Sequence, residues 1–348
     1  MIRPTGPLLL LALLGLPACA TAPGSPTFDG ARIWHVKAIA ADGAFVDVKA
    51  IAADGSILDV KALETPGGLH LMDVKALRGG RRALDVKLLP TTAEGRQPLR
   101  AIDDDGAVLE IVGLPPEGGR LPIAGVRQDG NLIHVKAIAA DGARLGVKAI
   151  SPDGHLMDVK GIAFDGEGFA VRGVAVAAHV KAIPQETEPA AAPRTWNLRA
   201  IHPDGWSMPV LAGDEGLPLR AFEEPGNRQM MDVKAVAGAE RRAVKVAADG
   251  SDRVVAIADD GAVDAVRAQL PDGRSAAVRA LGRDGRVFHL KVVMADGTVC
   301  AVKALSADGF LRDVKGLELL GGEVEGRVGG VPFRAHVKAV PQVPGLAR

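Results

Sequence analysis

From Arg32 onward the chain is written in a two-residue period. Leu58, Val60 and Ala62 fall on one side of an extended segment, while Ile57, Asp59, Lys61 and Leu63 fall on the other. The phrase Asp-Val-Lys-Ala-Ile, followed by Ala-Asp-Gly, returns every twelve residues. Val36, Val48 and Val60 are equivalent, as are Val135, Val147, Val159 and Val171, and weaker copies stand at Val74, Val86, Leu99, Ile111, Ile123 and Val180. Twelve residues are too few for a strand and a helix, so each unit reads as one β-strand and one turn.

Ala53-Asp54-Gly55 has the form of a three-residue hairpin loop, with glycine in the left-handed position. The register that follows sets Val48 opposite Val60, Ile51 opposite Ile57, Phe45 opposite Leu63, Asp47 opposite Lys61 and Lys49 opposite Asp59. Apolar residues meet apolar ones and each charge meets its opposite. The Leu/Val/Ala face is the expected core, and the Lys/Asp ladder the expected outer face. The expected fold class is all-β: a repetitive antiparallel up-and-down meander of about 13 strand units per half, forming two tandem closed or flattened barrel-like domains. Stretches of about fifty residues beginning at His35, Asp85 and His134 also admit a six-bladed propeller. An inverted arrangement, with the apolar face toward lipid, would make a transmembrane barrel, against which the missing aromatic girdles argue.

Landmarks recur between the halves. Trp34 corresponds to Trp196, Asp73 to Asp232, His134 to His289, Asp158 to Asp313 and His179 to His336, so the chain is a tandem duplication. The boundaries read as a targeting segment at 1–19, a tether at 20–33, one β-repeat domain at 34–185, a linker at 186–195, its duplicate at 196–343 and a tail at 344–348.

Composition sharpens this picture. Hydrophobic residues make up 47% but aromatics only 3%, with no tyrosine, so burial rests on small and β-branched side chains. The 42 basic and 42 acidic residues cancel, which removes the field that would gather nucleic acid. Arg3, the apolar run Leu8 to Leu16 and the sequence Leu16-Pro17-Ala18-Cys19 read as an export signal. The last four residues resemble the lipobox of bacterial lipoproteins. That resemblance implies lipidation at Cys19, a membrane partner through the anchor and an envelope address; Ala20 after the cysteine points to the outer membrane. Only Cys300 remains downstream, so no disulfide is expected within one mature chain.

Catalytic signatures are absent: there is no Gly-x-Ser-x-Gly, His-Glu-x-x-His, Cys-x-x-Cys or phosphate loop. No cofactor is expected. Five histidines, His35, His134, His179, His289 and His336, stand where the repeat otherwise has Asp. Closure of the first domain would bring His35 and His179 together as weak metal-ligand candidates. Asp103-Asp104-Asp105-Gly106 and Asp259-Asp260-Gly261 lack the spaced ligands of a calcium loop. Trp34, Trp196 and Trp206 are the aromatic surfaces on offer for a ligand to stack on, the first two serving equally as core plugs. The expectation is a non-catalytic envelope lipoprotein that binds or scaffolds. Its partner would be an apolar small molecule held in an enclosed cavity or another envelope protein. A structural, protein-binding array and an enzyme with a rim site are the alternatives.

Overall fold

A computed structural model describes residues 31–64, 71–79, 82–93, 95–164, 168–185, 195–224, 227–284, 287–307, 309–318 and 326–342. The expected targeting segment, Cys19 and most of the expected tether and linker lie outside these residues. Among the described residues all regular structure is β, in 27 strands.

The first domain contains β1 (Arg32–Ile39), β2 (Phe45–Ile51), β3 (Ile57–Glu64), β4 (Met72–Arg78), β5 (Arg82–Leu88), β6 (Gln97–Ile102) and β7 (Val108–Leu114). It continues with β8 (Leu121–Asp129), β9 (Leu132–Ile138), β10 (Arg144–Ile150), β11 (Leu156–Ala163), a small hairpin of β12 (Ala170–Val171) and β13 (Val174–Ala175), and β14 (Ala178–Pro184). The second repeats the pattern with β15 (Thr195–Ile201), β16 (Ser207–Ala212), β17 (Leu217–Glu224), β18 (Asn227–Ala237), β19 (Glu240–Ala247), β20 (Val254–Ile257) and β21 (Val263–Gln269). It ends with β22 (Ser275–Asp284), β23 (Val287–Val293), β24 (Val299–Leu305), β25 (Leu311–Glu318), β26 (Gly326–Val328) and β27 (Val331–Pro341).

The turn chemistry is as the sequence requires. Gly55 has φ +83°, its N–H donates to Ala52 O, Ala52 N donates to Ser56 O, and the Asp54 carboxylate accepts from Ser56 N at 2.9 Å. The expected register holds at the hairpin tip, where Lys49 opposes Asp59 and Ile51 opposes Ile57. It does not persist. Past three residue pairs the two strands splay, so Asp47 opposes Lys37 of β1 and Lys61 opposes His35 of β1. Val48 and Val60 therefore do not pair with each other, and neither do Phe45 and Leu63; β1 takes Phe45 at Ile39 and Leu63 at Ile33.

The splaying explains the architecture. Consecutive strands pair as a meander should, but β1 never meets β14, so closure does not come from joining the first strand to the last. Instead β1, β2 and β3 pair mutually, as do β4, β5 and β14, β6, β7 and β8, and β9, β10 and β11. These four three-strand vertices are joined by β1–β10, β2–β7, β3–β4, β5–β6, β8–β9 and β11–β14. Every vertex is thus linked to the other three, and each domain is a closed, barrel-like body. The second domain has the same connectivity, including β15–β24, β16–β21 and β18–β27. One continuous sheet per domain leaves no separate blades, so the propeller alternative does not hold.

At each vertex three strands converge, and space on the inner side is short. That is why the repeat puts Val and Ala inward. Val36, Val48 and Val60 are each 2% exposed, and Ala38, Ala50 and Ala62 are fully buried. Trp34 and Trp196 are also core residues, at 5% and 1% exposure. The Leu/Val/Ala face is inside and the Lys/Asp face outside, opposite to the inverted reading. An enclosed ligand cavity would leave its lining side chains accessible from within. The residues buried in the two cores instead keep 0–5% of their surface, the mark of close packing against one another.

Candidate functional site

The polar residues of the repeat are gathered at the vertices. At the β1/β2/β3 vertex, Lys37 donates to Asp47, Lys49 to Asp59 and Lys61 to His35 Nδ1 at 2.9 Å, a closed ring of three cross-strand pairs. At β4/β5/β14, Lys75 donates to Asp85 at 2.6 Å, Lys87 to His179 Nδ1 at 3.0 Å and Lys181 to Asp73. At β9/β10/β11, Lys148 donates to Asp158 and Lys160 to His134 Nδ1 at 2.9 Å, while Gly146 stands where a second Asp would be. There a polar pocket of about 20 Å³ opens between the strands, room for about one water. The second domain keeps two partial rings, with Lys303 to Asp313 and Lys315 to His289, and with Lys338 to Asp232 and Lys245 to His336. The β6/β7/β8 vertex of the first domain and the β15/β16/β17 and β20/β21/β22 vertices of the second carry no lysine and so no such ring.

This arrangement explains the histidines. A lysine ammonium can only donate, so each facing Nδ1 must be a bare acceptor and Nε2 must carry the proton. His35 Nε2 accordingly donates to Pro203 O at 2.9 Å, and His134 Nε2 to Asp129 at 2.8 Å. Burial, then the charges of Lys61 and Lys37, holds His35 down at about 4. Burial with Lys87 and Lys181 lowers His179, and burial with Lys245 and Lys338 lowers His336. Burial alone would raise the Asp47, Asp59, Asp73 and Asp85 carboxyls; the facing lysines outweigh it and hold all four below the usual carboxylate range.

The vertices also join the domains. The Asp-Gly turn at 202–206 lies on His35, and a Cβ on Gly205 would stand 2.5 Å from that ring. Reciprocally, the turn at 40–44 lies on Asn197, whose amide donates to Ala41 O at 3.1 Å, and on Arg199. Gly154 abuts Ala301 and Lys303 of the second domain, while Gly309 abuts Lys148 of the first. Between these contacts Ile39, Ile150, Leu156, Ile201, Leu305 and Leu311 form one buried cluster spanning both domains. Each domain therefore inserts turns into the other's vertices in a reciprocal, two-fold manner.

The sequence candidates fall as follows. His35 and His179 sit on different vertices, each engaged by its own lysine, because β1 pairs with β10 and not with β14. Trp34 is buried with Nε1 donating to Glu64 at 2.7 Å, Trp196 is buried beneath Arg312, and Trp206 stacks on His202 at 4.4 Å, half-buried at the domain junction. Neither Trp34 nor Trp196 presents a face to a ligand. The Asp103 carboxylate is paired with Arg78 and Arg82, and Asp104 with Arg82 and Arg172. Asp105 caps its own turn at Ala107 N. Cys300 is fully buried, and burial pushes its thiol up to about 11. Cys19 lies outside the described residues.

Sequence reasoning missed a pocket of about 230 Å³ lined by Arg96, Arg144, Val126 and Ile138. Val126 is the bulged residue between Gly125 and Arg127, where β8 slips against β9. Nothing in the repeat pattern signals a bulge.

No curated protein and no solved structure matches the chain significantly. A family of unknown function, DUF7486, matches residues 31–183 and again 193–340, the two halves that the repeat and the strand pairing define. The chain belongs to that family and carries two consecutive copies of its domain.

Proposed function

We propose that this is a lipid-anchored envelope protein that works without catalysis, as a rigid paired body presenting its surface to other envelope proteins. One observation supports it above all. The buried side chains of both cores keep almost no accessible surface, and the ring residues of the outer face are spent on cross-strand pairs and domain docking. An apolar small molecule is the less favoured cargo for the same reason. The proposed anchor at Cys19 and the outer-membrane address rest on the lipobox resemblance alone.

The test is native mass spectrometry of the protein extracted in mild detergent from its own envelope. The reading expects an acylated chain with a protein partner and without a stoichiometric apolar molecule. A small apolar ligand released on denaturation would overturn it. A second reading, a small anionic ligand, is favoured by the two guanidinium groups at the 230 Å³ pocket. Calorimetric titration with di- and tricarboxylates against an Arg96→Ala, Arg144→Ala double variant tests that one.

A further inference from the structure

Turn-on-vertex docking is used between the domains, yet among the described residues one complete vertex and several Asp-Gly hairpins are left unengaged by the other domain. We infer that the β4/β5/β14 vertex is a receptor for the Asp54-Gly55 hairpin of a second copy of this chain, joining molecules head to tail. The inference goes beyond the proposed function and does not depend on the anchor or the envelope address.

The donor half is recognised by comparison with the docked hairpins. The residue that follows the turn is Leu156 or Leu311 in two of the docked cases, and these are 0% and 3% exposed. In the β2–β3 hairpin the same position is Ile57, 61% exposed, the most open large apolar side chain among the described residues. Gly205 and Gly154 press against the other domain, whereas nothing lies within 4 Å of the Cβ position of Gly55.

The acceptor half matches. His179 occupies the position of His35 in its ring, with Nδ1 taken by Lys87. His35 Nε2 donates to the carbonyl of the second turn residue, Pro203, and Asn197 donates to the equivalent Ala41 O. His179 is exposed, and no described residue accepts from its Nε2. Ala53 O is the corresponding carbonyl of the open hairpin. Lys75, Lys87 and Lys181 against Asp73 and Asp85 leave the vertex one charge positive, with Arg172 3.7 Å from Asp85, so the Asp54 carboxylate is complementary. Asp42 stands in the same relation to Arg199, 3.8 Å away. Phe164 packs edge-on to His179 and stacks on Phe169, which is 39% exposed. These rings are an apolar seat for Ile57, as the interdomain cluster is for Leu156.

A contact between two different patches is heterologous and adds copies in a row or a ring. The test uses the full chain in detergent, with Ile57→Lys for the hairpin and His179→Asp for the vertex, which keeps an acceptor for Lys87 and removes the Nε2 donor; each is checked for a single cooperative melting curve. The wild type should associate as its concentration rises, in mass photometry and sedimentation, and each variant alone should be at least tenfold weaker. Mixed together, the two variants should form a one-to-one pair, because each retains the half that the other lacks. A monomeric wild type, an Ile57→Lys chain that associates like the wild type, or a mixture that stays monomeric would each overturn the inference.

Discussion

Two glycines with the same backbone conformation separate turn strain from domain docking. Gly55 has φ +83° and Gly205 has φ +82°, so alanine at either position meets the same left-handed penalty, about 1–2 kcal/mol. The surroundings differ. No atom lies within 4 Å of a Cβ on Gly55, but a Cβ on Gly205 would stand 2.5 Å from His35 Cγ and 2.8 Å from its Cβ. His35 cannot retreat, because Lys61 holds Nδ1 and the Pro203 carbonyl holds Nε2. Alanine must then either push the 202–206 turn out of the vertex or break the ring, an overpacking cost of about 1–3 kcal/mol. Gly205→Ala should therefore be less stable than Gly55→Ala by about that amount in urea unfolding, and it should split one transition into two as the domains uncouple. Equal midpoints and a single transition for both variants would refute turn-on-vertex docking. Gly55→Val adds a β-branched side chain to the same strained φ and should fall below Gly55→Ala.

Other consequences concern the rings. Lys148 and Asp158 are both buried, so Lys148→Met strands a buried carboxylate and should cost about 3 kcal/mol, with Lys160 at 3.6 Å limiting the loss. Lys49→Met breaks the more exposed Lys49–Asp59 pair and should cost below about 1 kcal/mol; chemical denaturation of the two variants compares them directly. His35 is held at about 4 when folded and returns to about 6.5 when unfolded. Between those values the unfolded chain takes up a proton that the folded chain refuses, so stability falls as pH falls through that window. At face value this is about 3 kcal/mol, and about 1–2 kcal/mol after discounting a partly exposed ring. His35→Asn, which copies Asn197 of the second domain, should flatten that slope in urea titrations run from pH 7 to pH 4.

The all-β class, the duplication and the hairpin turns were legible because each is a local pattern: a two-residue alternation, a recurring Trp or His, an Asp-Gly pair. The inward face was legible for the same reason. What the pattern could not carry is the branching of strands. Asp47 faces Lys61 in an isolated hairpin, but three-strand convergence sends Asp47 to Lys37 and gives Lys61 to His35. Charge complementarity holds in both arrangements, so the alternation does not distinguish them. The histidines were visible as a substituted ladder position, but their role depends on a partner 26 residues away for His35 and 92 residues away for His179. The reciprocal docking left a trace in Phe45, Leu156 and Leu311, large apolar residues beside turns that the two-residue alternation places on the Lys/Asp side of their strands.

Imidazole nitrogen NMR of the folded chain reads whether lysine donors tie together the five vertices that carry a histidine. The account predicts that His35, His134, His179, His289 and His336 all show an unprotonated Nδ1 and a protonated Nε2 at neutral pH. His35 should keep that form down to about pH 4, and His179 and His336 should titrate below the ordinary histidine value. Exchange between tautomers in any of the five rings, or titration of His35, His179 and His336 together near the ordinary histidine value, would contradict this.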